Sequence, residues 1–391
     1  MTTHRRTVLA GAAASILARP ALAQVSAEPI RIGWLASLTG PASAPAIGFG
    51  RGVHFATDAI NNAGGVKGRQ IEIVTRDTQG DPTKAVNAVQ DLISRAKVNA
   101  VWGPTNSGES LAVTPIMARA KMPNIHPCVV NSLIDPAKYP NAFRTAPSNE
   151  QWDDAVRGYA LKTLRLRDAA VFGDTTGYGT TAVADSVRGF TKDGAHVAYQ
   201  AQIDSTQPDV SPDMLRARDA GAKVIVVWTV AVGLLSRLMN TRATMGWDVP
   251  IIGHPALGAG EVRGLLDKPS NWDKVYMIGY RSCSFDAAGK LPERSAEFVA
   301  ALAGKVDLHD TLLWWVAAGS DAVHLVASAV ETGDGSTSPD IISAWNKVHD
   351  YPGVFGAYSF SPTDHNGYPQ DGVVMSQANS QKDGAFVLAP T

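Results

Sequence analysis

Ser107 is the residue whose type and place could do the most chemistry. It sits in the run Gly103-Pro104-Thr105-Asn106-Ser107-Gly108, between a short apolar strand and a helical stretch. A serine there stands at a helix N-terminus, where unpaired amides and the positive end of the helix dipole suit a carboxylate. Serine is also a preferred cap of such a terminus, so position alone leaves both roles open. Tyr178, in Gly177-Tyr178-Gly179, offers an apolar ring and one hydroxyl. It could close over a ligand or pack within its own loop. Trp152 and Trp228 could stack on a ligand, or fill cores as large aromatics commonly do.

Other chemistries lack their residues. The nine histidines are scattered, with no HExxH or CxxC spacing to hold a metal. Gly48-Phe49-Gly50-Arg51-Gly52 has the wrong spacing for a dinucleotide fingerprint, and neither a Walker lysine nor a GxSxG elbow occurs. His309-Asp310 reads as a surface or capping pair. No enzyme, metal or cofactor is expected.

The candidate residues are positioned by an alternation of strands and helices. Strands are expected at 30–35, 70–77, 100–102 and 124–125, with helices at 48–62, 82–95 (Asp81 as N-cap) and 108–121 between them. The rhythm restarts after Pro147. Helices at 150–164, 180–193, 212–220 and 234–245 interleave with strands at 169–172, 196–201, 224–228, 251–252 and 275–280. Helices at 292–303, 312–331 and 340–348 follow, then a turn-rich tail from Gly356. Such alternation predicts an α/β protein: two doubly wound parallel-sheet lobes with helices on both faces. Ligands in such sheets lie at the carboxyl ends of strands. The loops there, at 38–47, 103–108, 127–131 and 173–179, are rich in small and polar residues.

Residues 1–23 read as an export signal. Arg5-Arg6 precede an Ala-rich apolar run, and Ala21-Leu22-Ala23 makes a small-x-small cleavage pattern before Gln24. The run is shorter than the roughly 18–20 residues of a membrane span. The paired arginines suggest the twin-arginine route, with an ordinary secretory signal as the alternative. Those 23 residues hold three of the 35 basic side chains and none of the 36 acidic ones, leaving a formal charge of −4. That argues against nucleic acid and anionic membranes as partners. No later stretch is expected to span a bilayer. The two cysteines, Cys128 and Cys283, are expected to be unpaired buried thiols.

Several segments, in order, resemble the branched-chain amino-acid type of periplasmic substrate-binding protein. They are Ile32-Gly33, Leu38-Thr39-Gly40-Pro41, Asn61-Asn62-Ala63-Gly64-Gly65-Val66-Lys67-Gly68, Asp77 with Asp81-Pro82, and Ala85-Val86. Gly103 with Ser107, Arg144-Thr145, Tyr178-Gly179 and Met245-Gly246 complete the set. The resemblance implies two lobes joined by three crossings, a ligand cleft between them, hinge closure and delivery to an ABC permease by a periplasmic monomer. It places lobe one at 28–145 with 283–355, and lobe two at 146–282 with 356–391. The family's carboxylate-binding serine falls on Ser107 beside Asn106. Its backbone-donor loop falls on Cys128, Val129 and Val130, and its cleft tyrosine on Tyr178.

Departures from the family pattern bear on the ligand. Val130 stands where amino-acid binders keep a threonine, and Gly253-His254-Pro255-Ala256 where they keep an acidic partner for the ammonium. Ala42-Ser43-Ala44-Pro45-Ala46 replaces a larger cleft aromatic, which would leave room. The family's early disulfide is missing. The expected ligand keeps a carboxylate, lacks an ammonium and is bulkier than leucine, with aromatic or aryl acids favoured. Trp152, Trp228 or His254 would meet its far end. A branched-chain or other amino acid or amide, or a sensing role on the same fold, is the alternative.

Overall fold

The computed structural model describes residues 28–40 and 43–391; the expected export signal lies outside them. The first strand shows why the sheets form. In β1 (Ile30–Ala36), Ile30, Ile32, Trp34 and Ala36 enter one apolar cluster with Phe49 and Val53 of α1 (Ser43–Asn62). Leu35, on the opposite face, joins Val101, Val113 and Met117 in a second cluster. A strand buried on both faces belongs in a parallel sheet covered by helices. β2 (Ile71–Asp77), α2 (Pro82–Asp91), β3 (Ala100–Trp102), α3 (Ser107–Arg119), β4 (Asn124–His126) and β5 (Ala142–Arg144) complete the first unit. Its sheet runs β2-β1-β3-β4-β5, all parallel.

The second unit contains α4 (Asn149–Gly158), β6 (Asp168–Asp174), α5 (Gly177–Lys192), β7 (His196–Ile203) and α6 (Ser211–Asp219). β8 (Val224–Trp228), α7 (Val232–Thr244), β9 (Ile251–Gly253), α8 (Gly260–Gly264) and β10 (Val275–Tyr280) follow. The chain then crosses back through β11 (Ser284–Phe285), α9 (Glu293–Leu302), α10 (Leu313–Thr332), α11 (Ser338–Trp345) and the short pair β12 (Tyr351–Pro352) and β13 (Ala357–Tyr358). It returns as β14 (Val373–Gln377) and ends near β15 (Phe386–Val387). The second sheet runs β14-β10-β9-β8-β6-β7, with only β14 antiparallel. The protein is therefore two doubly wound α/β lobes joined by three crossings.

The differences from expectation have local causes. α1 starts at Ser43 instead of residue 48, through a glycine-rich stretch, because that stretch packs against α10. Asp81 caps α2 as expected, accepting from the amides of Thr83 and Lys84 at 2.7 and 2.9 Å. α5 starts at Gly177, so Tyr178 lies in its first turn and not in a loop. α10 corrects the expectation that no later segment could span a membrane. By length and composition it could, but 89% of its apolar window is buried inside the protein. Residues 357–367, expected with the second lobe, lie against the first. The Arg144 amide donates to the His365 carbonyl at 2.9 Å, and His365 stacks on Phe143 at 3.9 Å. Asp321 of α10 anchors the same crossing, accepting from the amides of Val354 and Phe355 and from the Tyr358 hydroxyl at 2.8, 2.8 and 2.9 Å. Both cysteines are free and buried.

The α1–α10 contact is close enough to need glycine. A methyl group on Gly52 would lie 1.8 Å from the Val316 carbonyl oxygen, inside any allowed contact. Gly52→Ala should therefore lower the unfolding free energy by about 1–3 kcal/mol, as core overpacking does. Gly158→Ala, where a methyl meets nothing within 4 Å, should raise it by about 0.5–1 kcal/mol through helix propensity. Urea titration of the two variants measures both, and equal effects would show that crowding at Gly52 is relieved elsewhere.

Candidate functional site

Strand order reverses between β1 and β3 in the first sheet and between β6 and β8 in the second. Such reversals open a crevice at the carboxyl ends of the strands. The two crevices face each other, and the N-termini of α3 and α5 meet across them. A methyl group on Gly177 would lie 3.1 Å from the Gly108 Cα. Two bare positive helix ends at this range would repel by about 1 kcal/mol, taking half a charge each and an effective dielectric near 20. The Asp174 carboxylate at the α5 end offsets part of this, and an anion in the cavity beside the junction offsets more.

Capping is settled by geometry. Asn106, extended at φ −113° and ψ 132°, caps α3, its Oδ1 accepting from the Gly108 amide at 2.8 Å. Ser107 is therefore the first helical residue and not the cap, which leaves its hydroxyl for other work. It is buried beside the Cys128 thiol. Thr176 caps α5, its Oγ1 accepting from the Gly179 amide at 3.2 Å. Asp174 holds that turn, accepting from the Thr176 amide at 3.0 Å and the Thr229 hydroxyl at 2.6 Å.

Between the lobes lies a cavity that, open solvent at its mouth included, encloses about 540 Å³ between atoms. Seven of the nine expected residues line it: Asn106, Ser107, Cys128 and Val129 from the first lobe, and Trp152, Tyr178 and His254 from the second. Two do not. Val130 packs with Cys128 and Leu133 and lines a separate groove beside Asn149 and Asp153. Trp228 is fully buried at the end of β8. Pro45, from the small-residue stretch expected at the cleft, also lines the cavity; Phe49 of α1 and Trp314 and Trp315 of α10 do so too and were not anticipated. Trp314 and Trp315 occupy part of the room that the small residues at 43–46 were expected to leave. The available signal was a Trp-Trp pair opening the most apolar helix.

The expected donor loop is partly committed already. The Cys128 amide donates to His126 Nδ1 at 3.2 Å. The Val129 carbonyl accepts from Arg144 Nη1 and from the Asn149 amide, both at 2.9 Å. Arg144 is buried, with Asn131 and Asn366 oxygens as its other partners, each at 3.0 Å. Burial brings its guanidinium down to about 10, still charged at neutral pH. It holds the loop to the third crossing. Cys128 Sγ lies 3.2 Å from the Pro104 carbonyl, and burial pushes the thiol up to about 12, so it stays protonated.

His254 stays neutral for the same reason. Burial lowers it to about 3, and its Nδ1 accepts from the Ala256 amide at 3.0 Å. The ring proton is then on Nε2, which makes that nitrogen a donor. The ring lies 5.2 Å from Trp152 and 5.5 Å from Tyr178, each edge-on. Among the described residues lining the cavity, none is Asp, Glu, Lys or Arg.

A cleft between two doubly wound lobes, built from strand-end loops and opposed helix N-termini, defines a solute-binding protein. The family described as "Periplasmic binding protein" matches residues 29–384, and the chain belongs to it. The Leu/Ile/Val-binding protein homolog 3 of Brucella melitensis is 26% identical over 235 residues, covering 59% of this chain and 62% of that protein. The matched part thus spans less than two thirds of that relative. The Leu/Ile/Val-binding protein homolog 2 of Brucella abortus is 25% identical over 359 residues, or 84% of this chain and 94% of that one. In solved structures, a periplasmic binding protein type 1 from Bordetella pertussis superposes with a TM-score of 0.81 at 23% identity, covering 93% of this chain and all of that one. The branched-chain amino acid transporter substrate-binding protein LivJ of Streptococcus pneumoniae, in complex with isoleucine, gives 0.78 at 23% identity, covering 92% and 97%. Likeness at these identities establishes the fold.

His254 also sets a pH dependence. Its folded value of about 3 lies below the ordinary 6.5. Below pH 6.5 the unfolded chain takes up a proton that the folded chain refuses, so stability is lost as pH falls from 6.5 toward 3. The loss is about 1.4 kcal/mol per pH unit. His254→Gln keeps an acceptor for the Ala256 amide and does not titrate. Between pH 7 and 5 its unfolding free energy should fall by about 2 kcal/mol less than that of the native chain. Parallel urea curves at the two pH values test this, and identical slopes would refute it.

Proposed function

We propose that this chain is the exported, periplasmic solute-binding component of an ABC importer, and that it captures a small aryl carboxylate and passes it to the permease. The observation that carries the ligand class is the charge inventory of the cleft. Two helix N-termini converge on it, aromatic rings line it, and no acidic side chain does so among the described residues. An ammonium buried there without an anionic partner costs several kcal/mol, at least a hundredfold in affinity. A carboxylate between Ser107 and the two helix ends relieves their mutual repulsion, so binding and lobe closure share one free energy. Tyr178 and Trp152 then flank the ring, and His254 meets the far end.

In this reading the first lobe comprises 28–145 with 283–367 and the second 146–282 with 368–391, and the working unit is a monomer. A branched-chain amino acid is the second reading, favoured by the names of the Brucella relatives. Its ammonium would then have only carbonyl and hydroxyl oxygens for partners.

Thermal melts with a panel of acids separate the two. A ligand at 100 times its dissociation constant stabilises by about 2.7 kcal/mol. Benzoate-type acids should raise the melting temperature and leucine, isoleucine and valine should not; the reverse pattern selects the amino-acid reading. Ser107→Ala should weaken binding of the stabilising acid by about 1–3 kcal/mol, the cost of a hydrogen bond to a charged group, with stability nearly unchanged. Asn106→Ala should instead cost about 1 kcal/mol of stability, as loss of a cap does. Calorimetry and urea titration check the pair, and unaltered affinity in Ser107→Ala would remove it from the site.

A further inference from the structure

The cleft lining carries buried hydrogen-bond donors whose bonding the aryl-acid reading does not use. Tyr178, Trp314 and Trp315 all line the cavity, and each has less than a tenth of its surface exposed. The Tyr178 hydroxyl and both indole N–H groups are buried without a partner among the described residues. His254 adds a fourth donor through Nε2, because its Nδ1 is taken by the Ala256 amide. Trp152 also has an unpaired indole N–H, but it is turned toward the Tyr280 hydroxyl and is left aside.

An indole nitrogen donates and cannot accept. A buried donor left unpaired is a standing cost that a ligand acceptor removes. Trp314 and Trp315 come from the first lobe, and Tyr178 and His254 from the second. The lining therefore supplies unpaired donors from both lobes. No basic side chain lines the cavity among the described residues, so nothing there balances a second full negative charge. A neutral oxygen fits this wall better than a second carboxylate, and a ligand N–H or ammonium would find only the Tyr178 hydroxyl oxygen to accept from it there.

Resting on the aryl-acid reading, we propose that the ligand carries a second, uncharged hydrogen-bond acceptor at the end of its ring away from the carboxylate. A keto or ether oxygen accepting from two of these four donors, one from each lobe, meets this description. The class is then ring-oxygenated aryl acids, in preference to their alkyl counterparts.

The test compares pairs matched in shape: 3- and 4-methoxybenzoate against 3- and 4-ethylbenzoate, with benzoate as reference. Calorimetry of the native chain should show at least one methoxy acid binding tenfold or more tighter than its ethyl partner. In Trp314→Phe and Tyr178→Phe, which keep an aromatic ring and lose the donor, the ratio of methoxy to ethyl affinity should drop to about threefold or less, whatever the change in affinity common to both acids. Equal affinity for methoxy and ethyl acids would overturn the acceptor proposal and leave the aryl-acid reading intact. A preference that survives both substitutions would overturn the assignment to these residues. Binding of glycine betaine but of no aryl acid would overturn both readings, since ring faces would then be holding a quaternary ammonium.

Discussion

Two helices from different lobes point their positive ends at one another, and the closed arrangement depends on what occupies the cavity beside their junction. Gly108 and Gly177 bring the two backbones into contact. A methyl group on Gly177 would press on the Gly108 Cα at 3.1 Å, whereas one on Gly108 would meet Gly177 at ordinary contact distance. The contact carries an electrostatic cost when the cavity holds only neutral groups, and an anion there offsets it. Ligand sign and lobe closure are thus linked through the backbone, without an ionised side chain in the cleft.

That arrangement explains how charge is distributed around the site. Groups that could ionise nearby are kept neutral or turned elsewhere. His254 and His126 are both lowered to about 3 by burial, and the Cys128 thiol is raised to about 12. Arg144, the buried cation beside the donor loop, spends its hydrogen bonds on Val129, Asn131 and Asn366 oxygens. Asp321, the buried acid behind the third crossing, is raised to about 6 by desolvation even with three donors on it. Both act on backbone segments at the crossings, so the cleft itself keeps only dipoles. Helix ends, indoles and a phenol are weaker than ions, but they carry no Born penalty for being buried.

Much of the fold was legible because it follows from local order. Strand β1 alternates around Ile32 and Trp34, Asp81-Pro82 starts a helix, and the strand-helix rhythm dictates parallel sheets. The site was legible in part, because strand-end loops must carry it: Ser107, Cys128, Tyr178 and His254 all follow strands. Trp314 and Trp315 were not legible as cavity residues. They open a helix whose composition says only "core", and they reach the cleft because α10 packs on α1 from far along the chain. Trp228 was misleading for the converse reason. It ends a strand, but β8 is central in its sheet and both of its faces are covered. Asn106 and Ser107 could not be ranked as cap, since one-residue differences in φ and ψ decide that role.

Chain chemistry read residue by residue was enough to give the α/β class and the two lobes, which rest on local periodicity and spacing, and the ordered motifs carried the kinship. The cap of α3, the neutral state of His254, the donor-lined wall and the meeting of Gly108 with Gly177 needed the folded molecule. Each depends on burial or on a contact between residues far apart in the chain, and neither is encoded at any one position.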